Sequence, residues 1–197
     1  MKILYSDNDI TAVIKPVGAD SEKDLPASLE SELGGEIFTV HRLDKNVGGV
    51  MVYARNKGAA ASLSRIIQDG LMIKEYIAEV HGTPPEIGDW EDMLFKDSSK
   101  NKVFVVSRQR KGVKQARLGF TRLSAGDTSR VKIRLHTGRS HQIRVQFSSR
   151  GFPLVGDHKY GSKDGKKEPM LFSSKISFTY KGKDMVFEAF PDWDNNI

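Results

Sequence analysis

His41-Arg42-Leu43-Asp44 sets two cations, an apolar residue and a carboxylate in four consecutive positions. The run lies between an alternating stretch, Glu36 to Val40, and the glycine pair Gly48-Gly49. A neighbouring positive charge lowers a carboxyl pKa, so Asp44 beside Arg42 is expected to be ionised at neutral pH. An ionised, fixed aspartate can act as a nucleophile. The same four residues also suit a surface turn with a solvated ion pair.

Two further groups could do chemistry. Arg139-Ser140-His141-Gln142-Ile143-Arg144 follows Thr137-Gly138. A helix beginning near Ser140, with Ser140 as its N-cap, would place free backbone N–H groups beside Arg139, a setting for phosphate or carboxylate. Arg144 then lies one turn further in. A buried arginine needs a carboxylate partner, and Asp44 is the expected one; solvated arginines on an amphipathic helix are the plainer reading. In Lys74-Glu75-Tyr76, Tyr76 is either an ordinary half-buried strand tyrosine or an aromatic support for an unstacked base.

The elements that must carry these groups follow from pattern. Ile3 to Tyr5 and Ile10 to Ile14 flank a polar turn and read as a strand pair. Pro26 to Leu33 reads as a short helix before Gly34-Gly35. Val50 to Ala54 alternates, and Lys57 to Ile67 is helical. Ile73 to Val80, Val103 to Val106, Ala116 to Leu123 and Arg130 to Leu135 read as strands, with a loop over Asp97 to Lys102. Ile143, Val145 and Phe147 fit either period, and Ser140 tips the segment toward helix. Leu171 to Tyr180 and Met185 to Ala189 close as a hairpin over Lys181-Gly182-Lys183. Irregularly mixed helices and strands predict an α+β fold: a mixed, mostly antiparallel β-sheet with flanking helices. No disordered tail beyond the last few residues is expected.

Composition excludes several classes. The 197-residue chain has no cysteine, so disulfides, thiolate metal sites and cysteine nucleophiles are out. Residues 1–15 carry acids at Asp7 and Asp9 and no long apolar run, unlike a secretory signal. No stretch approaches the roughly eighteen apolar residues of a membrane span. A cytoplasmic protein without membrane association, a monomer by default, is the expectation. Charge is uneven. Residues 1–98 carry 10 Lys+Arg against 17 Asp+Glu, and residues 99–197 carry 21 against 8. A basic half is the footprint of a polyanion binder.

Together these segments resemble the RluA-type (large-ribosomal-subunit) RNA pseudouridine synthases. The resemblance runs through His41 to Asp44, Lys74 to Gly82, Thr137 to Val145 and Gly151-Phe152-Pro153-Leu154-Val155-Gly156-Asp157-His158-Lys159-Tyr160-Gly161, in the family's order and over nearly the whole chain. It implies a pseudouridine synthase fold around a central RNA-binding cleft, and isomerisation of a uridine in structured RNA. Asp44 would be the catalytic aspartate, Arg42 the residue that turns the nucleotide out, Tyr76 the ring against the flipped base, and Arg144 the partner of Asp44. His41, Arg139, His141 and Gln142, with loop lysines Lys163, Lys166 and Lys167, are expected to contact RNA, a ribosomal or transfer RNA stem-loop. No metal and no cofactor are expected, because an isomerisation moves no electrons. Residues 1–197 are expected to be one catalytic domain without a separate N-terminal RNA-binding module.

The chain departs from the family at Val47-Gly48, where hydroxyl residues are common, at His136 for proline, and at Leu171-Phe172 for Leu-His. The first departure leaves a rival open: a non-catalytic RNA-binding relative acting in RNA folding or ribosome assembly. A metal-dependent hydrolase built on His41, Asp44 and His141 ranks below it.

Overall fold

The computed structural model describes residues 1–194; the expected tail at the last few residues falls largely outside them. In chain order the elements are β1 (Lys2–Ser6), β2 (Ile10–Lys15), α1 (Asp24–Leu33), β3 (Phe38–Thr39), β4 (Gly48–Ala54), α2 (Lys57–Gln68) and β5 (Ile73–His81). There follow β6 (Ile87–Asp97), β7 (Lys102–Val106), β8 (Val113–Arg122), β9 (Thr128–Leu135), α3 (Gln142–Ser148), β10 (Leu171–Tyr180) and β11 (Lys183–Glu188). The architecture is α+β. The β4–β10 pair is parallel, whereas β1–β2, β2–β4, β3–β4, β10–β11, β6–β7, β6–β8 and β8–β9 are antiparallel.

The chain divides into two compact units, Met1–Lys74 with the segment from Phe172 onward, and Glu75–Leu171. In the first, β4 is buried along its whole length. It reads as a continuous apolar run because neighbours cover both faces. α2 starts at Asn56, whose side chain accepts the Ala59 amide at 2.8 Å, and lays Ala59 and Leu63 on the core of β2, β4 and β10. α1 begins two residues before the expected Pro26; a proline in the first turn costs no hydrogen bond. Gly49 has φ +121°, and a Cβ there would meet the Ser173 backbone at 2.4–2.8 Å. Only glycine lets β10 lie so close to the chain leaving the Asp44 loop.

In the second unit the strands run β5-β9-β8-β6-β7. Ion pairs Arg130–Glu79 and Lys132–Glu75 link β9 to β5. α3 is buried from Gln142 to Phe147. Phe147 sits in an aromatic group with Trp90 and Phe120, ring centroids 4.4–5.1 Å apart. Valine, leucine and tyrosine side chains pack on α3's other side: Leu94, Val103 and Tyr160 around Val145. The helix reading of this segment holds, but its cap does not. The N-cap residue is His141, in the left-handed region at φ 51°, with no side-chain cap bond.

Candidate active site

The Asp44 loop is fixed by alternate residues. His41 Nε2 accepts the Val52 amide of β4 at 3.0 Å. Leu43 is buried, and its backbone exchanges two hydrogen bonds with the Ser21 hydroxyl, at 3.0 and 3.3 Å. Val47 is buried and donates its amide to the Asp44 carbonyl at 2.9 Å, closing a four-residue turn. Arg42 and Asp44 alternate with these anchors and keep solvent exposure. Adjacency in sequence suggested Arg42 as the cation that keeps Asp44 charged; the structure instead pairs Arg42 with Glu22 at 2.8 Å, two largely exposed side chains. Such a surface pair is worth at most about 1 kcal/mol.

Beneath the loop lies Lys15, fully buried and not anticipated from sequence. Its ammonium donates to the carbonyls of Pro16 (3.0 Å), Lys45 (3.0 Å) and Val47 (2.8 Å). Burial pushes its pKa down to about 8, and the Asp44 carboxylate is the foremost of the charges acting to raise it. Lys15 therefore clasps the turn and supplies positive charge on its inner side. Burial, with Lys74 nearby, pushes His41 down to about 3, so it is a neutral acceptor at physiological pH. Lys15→Met removes three donors from a buried site, and unsatisfied buried acceptors cost about 1–3 kcal/mol. We expect its urea midpoint to fall accordingly; an unchanged midpoint contradicts the clasp.

In the second unit, Arg144 and Asp157 are paired and almost wholly buried, side chains 4% and 1% exposed. Arg144 Nε and Nη2 donate to the two carboxylate oxygens at 2.7 and 2.8 Å, a bidentate fork that fixes the guanidinium plane. The guanidinium lies 5.1 Å from the Tyr160 ring centroid. The Tyr160 hydroxyl accepts the Val103 amide at 2.8 Å and lies 2.8 Å from His141 Nδ1. Sequence reasoning assigned neither Asp157 nor Tyr160 a role, although both lie in the last motif.

Gln142, expected to face RNA, is 2% exposed and its amide works inside the protein. Its Oε1 accepts from the Thr137 hydroxyl (2.8 Å) and the Arg139 amide (3.0 Å), and its Nε2 donates to the Arg117 carbonyl (3.0 Å). The Arg139 amide is thereby satisfied, and the Gln142 amide at the helix start donates to the Arg139 carbonyl at 3.2 Å, so neither is a free N–H group. Gln142 shapes the 137–139 loop, while Arg139 stays exposed with Nε on the Gln115 carbonyl at 2.8 Å. Tyr76 is buried on β5.

Lys163, Lys166 and Lys167 are exposed on a loop ordered around Asp164. Burial alone would raise the Asp164 carboxyl; donation from Ser162, the Gly156 and Lys166 amides and His81 outweighs it and holds the group well below the usual range. His158 braces the same loop, with Nδ1 3.1 Å from the Ser162 carbonyl oxygen and Nε2 2.7 Å from that of Lys166. Only the imidazolium donates from both nitrogens, so these carbonyls, Lys166 first, raise the pKa above 6.5. A raised base stabilises fully below its unfolded value and loses that contribution as pH climbs through the folded one. NMR titration should place the His158 midpoint above 6.5; a midpoint at or below it contradicts the bracing.

Asp44, Arg42 and His41 thus belong to one unit, and Tyr76, Arg139 to Arg144 and the loop lysines to the other. Among the described residues no three carboxylate, imidazole or thiol groups converge as metal ligands.

A family model described as RNA pseudouridylate synthase matches residues 12–149. An uncharacterized RNA pseudouridine synthase of Aquifex aeolicus is 32% identical over 95% of this chain and 68% of its own length. The dual-specificity RNA pseudouridine synthase RluA of Escherichia coli is 30% identical over 97% of this chain and 93% of its own. The solved structure of human RNA pseudouridylate synthase domain containing 1 matches with a TM-score of 0.83 at 25% identity, covering 97% of this chain and 83% of that one.

Proposed function

The chain belongs to the RNA pseudouridylate synthase family and isomerises uridine in RNA, and we propose that it acts on a stem-loop of ribosomal or transfer RNA through the Asp44 carboxylate. One observation carries the assignment of Asp44. The loop drives Leu43 and Val47 into the core, is clasped from within by Lys15, and leaves the intervening Asp44 only half-buried. Val47, the departure from the family pattern, keeps the turn ordered through its backbone amide and carbonyl, which supports catalysis over a purely RNA-binding role.

In the reaction the bond from uracil N1 to ribose C1′ breaks, the base turns, and C5 bonds to C1′. The proton on C5 leaves and N1 gains one, so composition is unchanged and no oxidant or reductant is needed. Asp44 attacks C1′, or removes a ribose proton to open a glycal route. Arg144, immobilised by Asp157, is the proposed partner of Asp44. Tyr76 packs the flipped base, and Arg42 turns the nucleotide out. Extrusion costs a few kcal/mol and least in loops, which favours a stem-loop substrate. Lys163, Lys166, Lys167, Arg139 and His141 are the proposed RNA-facing groups, acting in the cytoplasm as a monomer; His41, expected among them, instead anchors the loop from inside through the Val52 amide.

The test is to incubate the purified chain with unmodified ribosomal and transfer RNA transcripts and map pseudouridines by carbodiimide-dependent reverse-transcription stops. Discrete stops in loops are expected. Pseudouridine formed only in fully paired stems, or in neither RNA, overturns the substrate assignment.

A further inference from the structure

We infer that a basic cleft on the β6–β7–β8 face of the second unit docks an RNA phosphodiester with its ribose, apart from the nucleotide being isomerised. The inference rests on the reading of RNA as substrate and adds a second point of grip.

Leu94 and Val103 form the cleft's apolar floor, and Lys96, Lys114 and Arg139 stand at its rim. Strand register explains the grouping. Leu94 is opposite Lys114 and Lys96 is opposite Val103, and residues two apart on a strand share a face. That face carries the apolar cluster under α3, with Leu94 and Val103 beside Val145 and Tyr160. The helix starts only at Gln142, so the preceding backbone, Gly138 to Ser140, walls a hollow instead of filling it.

Charge identifies the occupant. On the same unit Arg117, Arg130, Lys132 and Arg150 each hold a carboxylate. Among the described residues, no carboxylate lies within ion-pair distance of Lys96, Lys114 or Arg139. Three cations without internal counter-charge converge on one concavity and call for an external anion. Arg139 is held ready: its Nε is on the Gln115 carbonyl and its amide on Gln142.

Size and polarity narrow the choice. The cleft measures about 150 Å³. Pockets that enclose whole small molecules span about 300–1,000 Å³, so this one takes a fragment: a phosphate on the rim and a sugar on the apolar floor. Phosphate contacts of this kind set register along a nucleic acid without reading its bases. Because Gln142 joins the 137–139 loop to the first residue of α3, the same structure that grips the phosphate is tied to the helix that carries Arg144.

The test uses the full chain and a fluorescein-labelled, uridine-bearing RNA stem-loop. Lysine acetylation of the parent protein, read by mass spectrometry with and without the RNA, should show Lys96 and Lys114 shielded in the complex and reactive again at high salt. The Lys96→Gln/Lys114→Gln variant should bind at least several-fold more weakly. Its slope of log Kd against log salt should fall by about 1.5, since each lost single-strand or duplex phosphate contact removes roughly 0.7–0.9. Both lysines remaining fully reactive in the complex, or a variant with the parent's slope and affinity, overturns the cleft while leaving the RNA-substrate reading intact. A parent that binds no RNA overturns that reading, and the cleft with it.

Discussion

Arg144→Met is expected to lower stability by about 3–5 kcal/mol, the cost of leaving one member of a buried ion pair without its partner. Asp157, 1% exposed, would be stranded in a site from which water is excluded. Arg144→Lys should rescue only part of the loss, because an ammonium cannot reproduce the two-pronged contact at 2.7 and 2.8 Å. The informative control is Arg144→Met with Asp157→Leu. Replacing both charges by apolar groups is often close to neutral, so urea unfolding should show most of the stability restored. Uridine isomerisation should stay absent in that double variant. Restored activity would make the pair a structural device only, and a single variant as stable as the parent would contradict the burial argument.

The second large effect is on rate. Asp44→Asn keeps the side chain's shape and its half-exposed position on the turn but cannot act as a nucleophile or a strong base. If Asp44 works as a base, kcat should fall by about 10²–10⁴-fold. If it works as the nucleophile, turnover should fall below detection, because the asparagine amide does not form the bond to C1′. The turn is also held by Leu43, Val47 and Lys15, so urea unfolding should show the variant still folded. Single-turnover kinetics at saturating RNA separates the two cases.

How far the sequence could be read follows from what kind of force places each residue. Strands of alternating or apolar pattern, such as β2, β4 and β5, were legible because burial alone dictates them. β6 was not: its run Asp89-Trp90-Glu91-Asp92 carries three acids, one of which pairs with Arg117 and another with Arg150. Its membership depends on partners distant in sequence, and Gly88 leaves room for the Phe120 ring there, with a Cβ placed within 2.1–3.0 Å of it. The Ser140 cap failed because Gln142, the first helical residue, turns its own amide back onto the 137–139 loop, and Tyr160, distant in sequence, meets His141 at the helix start. Asp44, Arg144 and Tyr76 stood out by motif. Lys15 did not, since a lysine ending an apolar strand looks like a surface residue until the loop it clasps is folded over it. The Arg42–Glu22 pair shows that adjacency along the chain is a poor guide to which charges meet.

The most direct measurement is tritium release from RNA carrying [5-³H]uridine, by the parent and by Asp44→Ala, at RNA occupancies matched from binding isotherms. The parent should release the label in step with pseudouridine formed. The variant should release none while binding the RNA as tightly. Equal release from both proteins would remove Asp44 from the chemistry and contradict the account.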